Sequence, residues 1–271
     1  MDTSHLIIVR GGGDLATGTI CKLRRCGFPV LVLEIPAPSA IRRTVAFCEA
    51  AYTGAQTVEG LTCTRADSLT QAQALLEQGG LPLLIDPEGT AISTLRPMAV
   101  VDAILAKRNL GTHREMAPIT VALGPGFTAG QEVDAVIETM RGHDLGRVLY
   151  TGQAKPNTGV PGIIAGYGAQ RVLHSPAAGT LRAVHRIGDL VQKDEPIAFV
   201  GDVPVPASLT GLLRGLIRDG YPVTRGLKIA DIDPRASEYE NCFRVSDKAR
   251  CIAGGVVEAV LALHAAKGLS W

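Results

Sequence analysis

After a polar start from Met1 to His5, the chain runs through four apolar residues, Leu6 to Val9, and then into Gly11-Gly12-Gly13. Apolar positions at Leu15, Ile20 and Leu23 predict a helix from Asp14 to Cys26, and Gly27 supplies its stop. Pro29 to Ile35 is nearly continuous in apolar residues, as a buried parallel strand is. Strand, tight turn, helix and strand together predict a Rossmann-type β-α-β unit in the first fifty residues. Beyond it the pattern predicts a helix from Ile41 to Ala51, a helical patch from Leu69 to Gln78, and strands at Leu81 to Ile85 and Met98 to Leu105. These elements assemble most naturally into an open α/β layer.

From Ala117 the texture changes. The strand Ile119 to Leu123 runs straight into a second glycine-rich turn, Gly124-Pro125-Gly126-Phe127-Thr128-Ala129-Gly130. Short strands follow at Ala135 to Glu138 and Arg147 to Tyr150, and Thr151 to Gly168 is rich in glycine, proline and asparagine, the composition of a joint. At an offset of 32 residues, Gly179, Leu181, Arg182, Arg186, Gly188, Val191, Ile197 and Ala198 recur as Gly211, Leu213, Arg214, Arg218, Gly220, Val223, Ile229 and Ala230. Each copy reads strand, glycine turn, short strand, and neither closes a core alone, so the two should interlock. The pattern resembles the biotinyl/lipoyl carrier hammerhead, but no lysine lies between Lys193 and Lys228 to carry a cofactor. The tail from Ser246 places Ile252, Val256, Val257, Val260, Leu261 and Leu263 on a packing helix that stops at Gly268, with Gly254-Gly255 near its start.

The expected fold class is therefore α/β. A Rossmann-like N-terminal region (1–150) precedes a loop-rich joint (151–172), a hammerhead-type β-barrel built from the repeat (173–235) and a C-terminal helix (236–271) packing back on the core.

Charge narrows the partners. With 27 Lys and Arg against 26 Asp and Glu, no basic excess points to nucleic acid or to an anionic membrane, and only 4% of residues are aromatic. The first apolar run is too short for a signal peptide or a span, which predicts a cytoplasmic protein. Six cysteines without a CxxC or paired metal spacing predict reduced thiols, candidates for transient sulfur or selenium chemistry only because they are thiols.

The chemistry-bearing residues gather at the two glycine turns. Gly11-x-Gly13-x-x-Ala16, with Gly12, Asp14 and Leu15 in the same turn, follows a strand and opens a helix, and Glu34 ends the next strand. In such units the glycines admit a pyrophosphate, the helix end holds it, and the acid accepts ribose hydroxyls. Asp14 reads best as a helix cap. Arg42 and Arg43 follow where they would reach a further phosphate or lie solvated. Gly124, Gly126 and Thr128 form a second candidate anion cradle or a plain turn. His143 and Asp144, in the loop Arg141-Gly142-His143-Asp144, are the candidate catalytic pair, with a turn-fixing role as the alternative. No metal-ligand set stands out.

Several of these segments resemble one family. The runs VRGGGDLATG (Val9 to Gly18), LEIPAPSAIRRTVAF (Leu33 to Phe47), LGPGFTAG (Leu123 to Gly130), VIETMRGHDLGRVLYTG (Val136 to Gly152), NTGVPG (Asn157 to Gly162) and SDKAR (Ser246 to Arg250) resemble YqeB-like proteins, called selenium-dependent molybdenum hydroxylase system proteins. The N-terminal unit is similar in kind to the Rossmann domain of XdhC-type accessory proteins. The resemblance implies a maturation factor that binds a molybdenum cofactor dinucleotide and assists its loading into a molybdenum hydroxylase apo-enzyme, its expected partner, with homo-oligomers open. The same turn serves an NAD- or NADP-dependent enzyme, and a docking scaffold for the hydroxylase is the third reading.

Overall fold

The computed structural model describes residues 5–159 and 162–270; Met1 to Ser4, Val160, Pro161 of the NTGVPG segment, and Trp271 lie outside the described residues. The chain divides into two compact units. The first comprises the chain to Pro38, Ala46–Asn157 and the segment from Val245, and the second Ser39–Val45 with Thr158–Arg244.

Unit 1 starts as its apolar pattern requires. Strand β1 (Ile7–Arg10) turns through the glycines into α1 (Asp14–Arg25) and returns as β2 (Val30–Glu34), parallel to β1. A short helix α2 (Ala50–Thr53), the hairpin β3 (Ala55–Val58) and β4 (Leu61–Ala66), helix α3 (Leu69–Glu77), β5 (Leu81–Ile85), helix α4 (Thr90–Leu95) and β6 (Ala99–Asp102) follow. Next come β7 (Ile119–Leu123), β8 (Thr128–Ala129), β9 (Ala135–Ile137), β10 (Val148–Leu149) and β11 (Gly152–Gln153).

Among the described residues, nine strands form one sheet in the order β10-β9-β7-β6-β1-β2-β5-β4-β3, while β8 and β11 pair separately. The seven inner strands are parallel, and β3 and β10 run antiparallel at the edges. Ile8, Leu31, Leu33 and Leu84 pack against Ala72 and Leu76 of α3 and Ala91 and Ile92 of α4. Right-handed crossovers place α1 on the opposite face, because β1 to β2 and β4 to β5 step across the sheet in opposite directions. Helix α5 (Asp247–Ala266) packs against α1 and lies over β7, β9 and β10.

Unit 2 holds β12 (Val172–His174), β13 (Gly179–Ala183), β14 (Leu190–Val191), β15 (Pro196–Val200), β16 (Val203–Pro206), β17 (Gly211–Leu216), β18 (Pro222–Val223) and β19 (Lys228–Asp233). They form two four-stranded antiparallel sheets, β12-β19-β17-β14 and β16-β15-β13-β18. The repeat shapes both: β14 of the first copy pairs with β17 of the second, and β18 of the second with β13 of the first. Leu181 and Leu213, Val191 and Val223, and Ile197 and Ile229, each pair 32 residues apart, are buried in one core.

The expected fold class, a Rossmann-like domain followed by a hammerhead barrel, is therefore corrected. The β-α-β unit is one part of a larger mixed sheet that two antiparallel edge strands and the last helix complete. The repeat gives two sheets because strands of two residues, β14 and β18, are too short to carry a hydrogen-bonded ladder around a barrel. The expected helix from Ile41 to Ala51 is corrected as well. Arg43–Val45 and Phe47–Glu49 are single 3-10 turns separated by Ala46 in an extended conformation, and only Ala50–Thr53 is α-helical.

A buried polar chain ties the centre of the large sheet to the loop beyond β6. The Thr112 hydroxyl donates to Asp102 (2.6 Å) and accepts from the Arg10 guanidinium (2.6 Å), which also donates to the Pro87 carbonyl (3.3 Å). All three side chains are buried, so the hydroxyl relays a charge pair that has no water to fall back on. Thr112→Val should lower unfolding free energy by about 1–3 kcal/mol by leaving both charged groups short of a partner. Urea denaturation at unchanged m-value checks this, and a loss below about 0.5 kcal/mol would show that the relay is dispensable.

Candidate functional site

The carboxyl ends of the parallel strands gather the candidate residues. The chain reverses direction across β1 and β6, from β1 to β2 on one side and from β5 to β6 on the other, which opens the edge there. The three glycines at the end of β1 serve different ends. Gly11 takes φ +94°, a turn conformation that side chains resist, and a Cβ there would press on Ile104 at 3.1 Å. At Gly12 a Cβ would meet the Cys48 nitrogen at 2.9 Å, because the Cys48 N–H donates to the Gly12 carbonyl (2.8 Å). Gly13 has an ordinary φ of −64°, no heavy atom within 4 Å of a Cβ position, and caps α1 without a side-chain hydrogen bond. Asp14 is the first helical residue rather than the cap, Leu15 is half-buried and Ala16 fully buried.

Glu34 turns back on its own chain. Its carboxylate accepts the N–H groups of Gly12 (2.8 Å) and Ile35 (2.8 Å), and burial pushes its pKa up despite those bonds. Arg42 and Arg43 belong to unit 2. There Arg42 donates to the carbonyls of Asn241 (2.9 Å) and Arg244 (3.0 Å), and Arg43 to that of Leu216 (2.7 Å).

The second glycine turn lies on the same edge, since β7 and β1 flank β6 and their ends stand about 10 Å apart. The two turns nevertheless do not share one open cleft. Residues 103–108 run between them: a Cβ on Gly124 would come within 3.4 Å of Leu105, and one on Gly126 within 2.6 Å of the Arg108 nitrogen. The Thr128 N–H is already taken by Glu132 (2.8 Å), and its hydroxyl accepts from Gln153 (2.9 Å). This turn carries its own internal anion.

His143 is exposed, and Asp144 faces Lys155 (2.5 Å) and Arg147 (3.1 Å) rather than orienting an imidazole. Lys155, then Arg147, hold the Asp144 carboxyl below the usual range. The structure thus places the pair in a surface ion-pair cluster. Burial, and after it Glu34, push the Cys48 thiol beside the turn well up, and burial raises that of Cys21 on α1 to about 11.

Helix α5 brings in what the sequence reading missed. Ser246 caps it through the Ala249 N–H (3.1 Å), and a Cβ on Gly18 of α1 would stand only 2.8 Å from the Ala249 Cβ. The two helices therefore pack closely with their N-termini at the same edge. Arg141 forks onto Asp247 with bonds of 2.9 and 3.1 Å. Lys248, half-buried, sits among Asp14, Glu138, Arg141 and Asp247 with no hydrogen bond or ion pair among the described residues. Burial, and next Arg141, lower its pKa, against the pull of the three acids. A lysine in the first turn opposes the helix dipole, a signal that could have singled it out inside SDKAR.

No family model matches the chain. The uncharacterized protein YqeB of Escherichia coli (strain K12) is 51% identical over 259 residues, 96% of this chain, and the chain spans about half, 48%, of that relative's length. Among solved structures, an aspartoacylase family protein from Mesorhizobium loti is 14% identical with a TM-score of 0.29, covering 87% of each chain. The product-bound ectoine utilization protein EutE (DoeB) from Ruegeria pomeroyi is 12% identical with a TM-score of 0.23, covering 83% of this chain and 56% of that one. At these TM-scores both likenesses are distant. Over the residues it spans, the chain belongs to the YqeB-like family.

The expected function is corrected at this point. The Glu34 carboxylate, expected to take ribose hydroxyls of a dinucleotide, is spent on its own backbone. The maturation-factor, NAD(P)-enzyme and docking-scaffold readings are set aside. One consequence for Lys248 is measurable. Its ammonium should titrate below the ordinary lysine value of 10.5, and Asp14→Asn should lower the midpoint further by removing an attractive charge. An NMR titration of the Lys248 side chain reads both, and an unshifted midpoint would contradict the described packing.

Proposed function

We propose that unit 1 binds a small phosphate-bearing ligand at the carboxyl edge of its large sheet, with the phosphate against Gly13 and Lys248 as countercharge. Gly13 carries the reading. Its backbone conformation suits any residue and its Cβ direction is empty, so neither strain nor packing requires a glycine there, and its local role is to cap α1. What it leaves accessible is the first turn of α1, where N–H groups point outward and the dipole favours an anion. The uncommitted Lys248 supports the same class of ligand. Phosphate-bearing dinucleotides, the molybdenum cofactor form and NAD or NADP among them, fall within this class; the reading commits to the phosphate.

Calorimetric titration of the purified full chain with inorganic pyrophosphate and with cytidine diphosphate tests it. Gly13→Val should abolish binding while lowering the thermal midpoint only slightly, because the added side chain enters empty space and the one local loss is a poorer cap on α1. Lys248→Met should weaken binding about tenfold, the equivalent of ~1.4 kcal/mol, and flatten the salt dependence. Binding by the wild type of neither probe, or equal affinity in all three proteins, would sink the reading.

A further inference from the structure

Farther along the α1–α5 pair, a cavity of about 420 Å³ opens between the helices, within the range of small-ligand pockets. Its α5 residues Arg250, Gly254 and Val257 share one helix face, and Lys248 lies about half a turn round from that face, so the cavity is separate from the edge just described. We propose that this cavity is a second ligand site, for a small organic monoanion with an apolar body.

Gly254 is the first ground. It sits well inside α5, where glycine weakens a helix, yet a Cβ there would meet nothing within 4 Å. Gly18 and Gly255, by contrast, are required by contact, with Ala249 and with the Gly146 carbonyl. An open wall at Gly254 has a use only if something else fills the space. The chemistry of the lining is the second ground. Lys22, Arg25 and Arg250 line the cavity with the single carboxylate of Glu59.

The tight turn between β3 and β4 presents that carboxylate. Glu59 adopts φ +47° and accepts from Arg25 (3.3 Å), from Arg250 (2.5 Å) and from the Val245 N–H (3.0 Å). Glu59 thereby fixes both guanidiniums at the rim, each with donors to spare. Lys22 is half-buried, and its ammonium has no hydrogen bond or ion pair among the described residues. An anionic head meets these cations while its apolar part lies on the helix wall that Gly254 leaves bare. The exposed thiol of Cys26 lines the same cavity, and the exposed thiol of Cys251 does not.

The test uses the full chain, with 2-naphthoate as probe and neutral 2-naphthamide as its near-isosteric control. Fluorescence titration gives affinity, and mass spectrometry follows iodoacetamide alkylation of Cys26 against Cys251. We expect 2-naphthoate to slow Cys26 alkylation several-fold without affecting Cys251, and the amide to bind about tenfold more weakly. Gly254→Leu should fill the cavity, keep or raise the thermal midpoint and abolish protection of Cys26. Lys22→Gln should weaken naphthoate about tenfold and leave the amide unchanged. Equal slowing of both cysteines, no protection at all, equal affinity for acid and amide, or undiminished binding by folded Gly254→Leu would each overturn the proposal.

Discussion

The close approach of α1 and α5 at Gly18 and Ala249 is the contact on which the functional face of unit 1 depends. A Cβ on Gly18 would fall 2.8 Å from the Ala249 Cβ, so the helices meet nearly backbone to backbone. Because they run in the same direction, their dipoles repel end for end, and two positive termini stand side by side. Asp14 and Asp247, each the first residue of its helix, offset that charge locally. The contact thus concentrates positive potential at one edge of the sheet, and the chain answers it with acids of its own.

Much of the first strand-helix-strand passage was legible because burial on both faces leaves an unbroken apolar run and a glycine on either side of the helix. The hairpin of β3 and β4 was not read, although Glu59-Gly60 is a two-residue turn with positive φ at both positions, flanked by Val58 and Leu61. Its strands, Ala-Gln-Thr-Val and Leu-Thr-Cys-Thr-Arg-Ala, are largely polar and small, a weak apolar signal for an edge position. The segment Ile41 to Ala51 carried helical spacing, yet its first half is claimed by unit 2, where the Leu216 N–H donates to the Ile41 carbonyl. Such a tertiary demand leaves no periodic trace.

The site was legible in its glycines and not in its charges. Gly11, Gly12 and Gly13 look alike in sequence, but they answer to a turn, to a contact with Cys48, and to empty space respectively. Only coordinates separate those causes. Glu34 was correctly placed at a strand end, and its carboxylate closes on the N–H groups of Gly12 and Ile35. Lys248 stayed hidden because its neighbours Asp14 and Glu138 are more than a hundred residues away in the chain.

The exchange of β14 and β18 between the sheets of unit 2 has a consequence best put in terms of symmetry. Each copy of the repeat lends its shortest strand to the other and receives the equivalent one in return, so the contact is isologous, the same patch meeting itself across a pseudo-two-fold axis. Unit 2 thus has the reciprocal pairing of a two-fold dimer within a single polypeptide. Joining the halves turns a bimolecular association into an intramolecular one, so assembly no longer depends on protein concentration. Once tethered, each copy is free to diverge at its surface while Leu181 and Leu213 keep the shared interior matched.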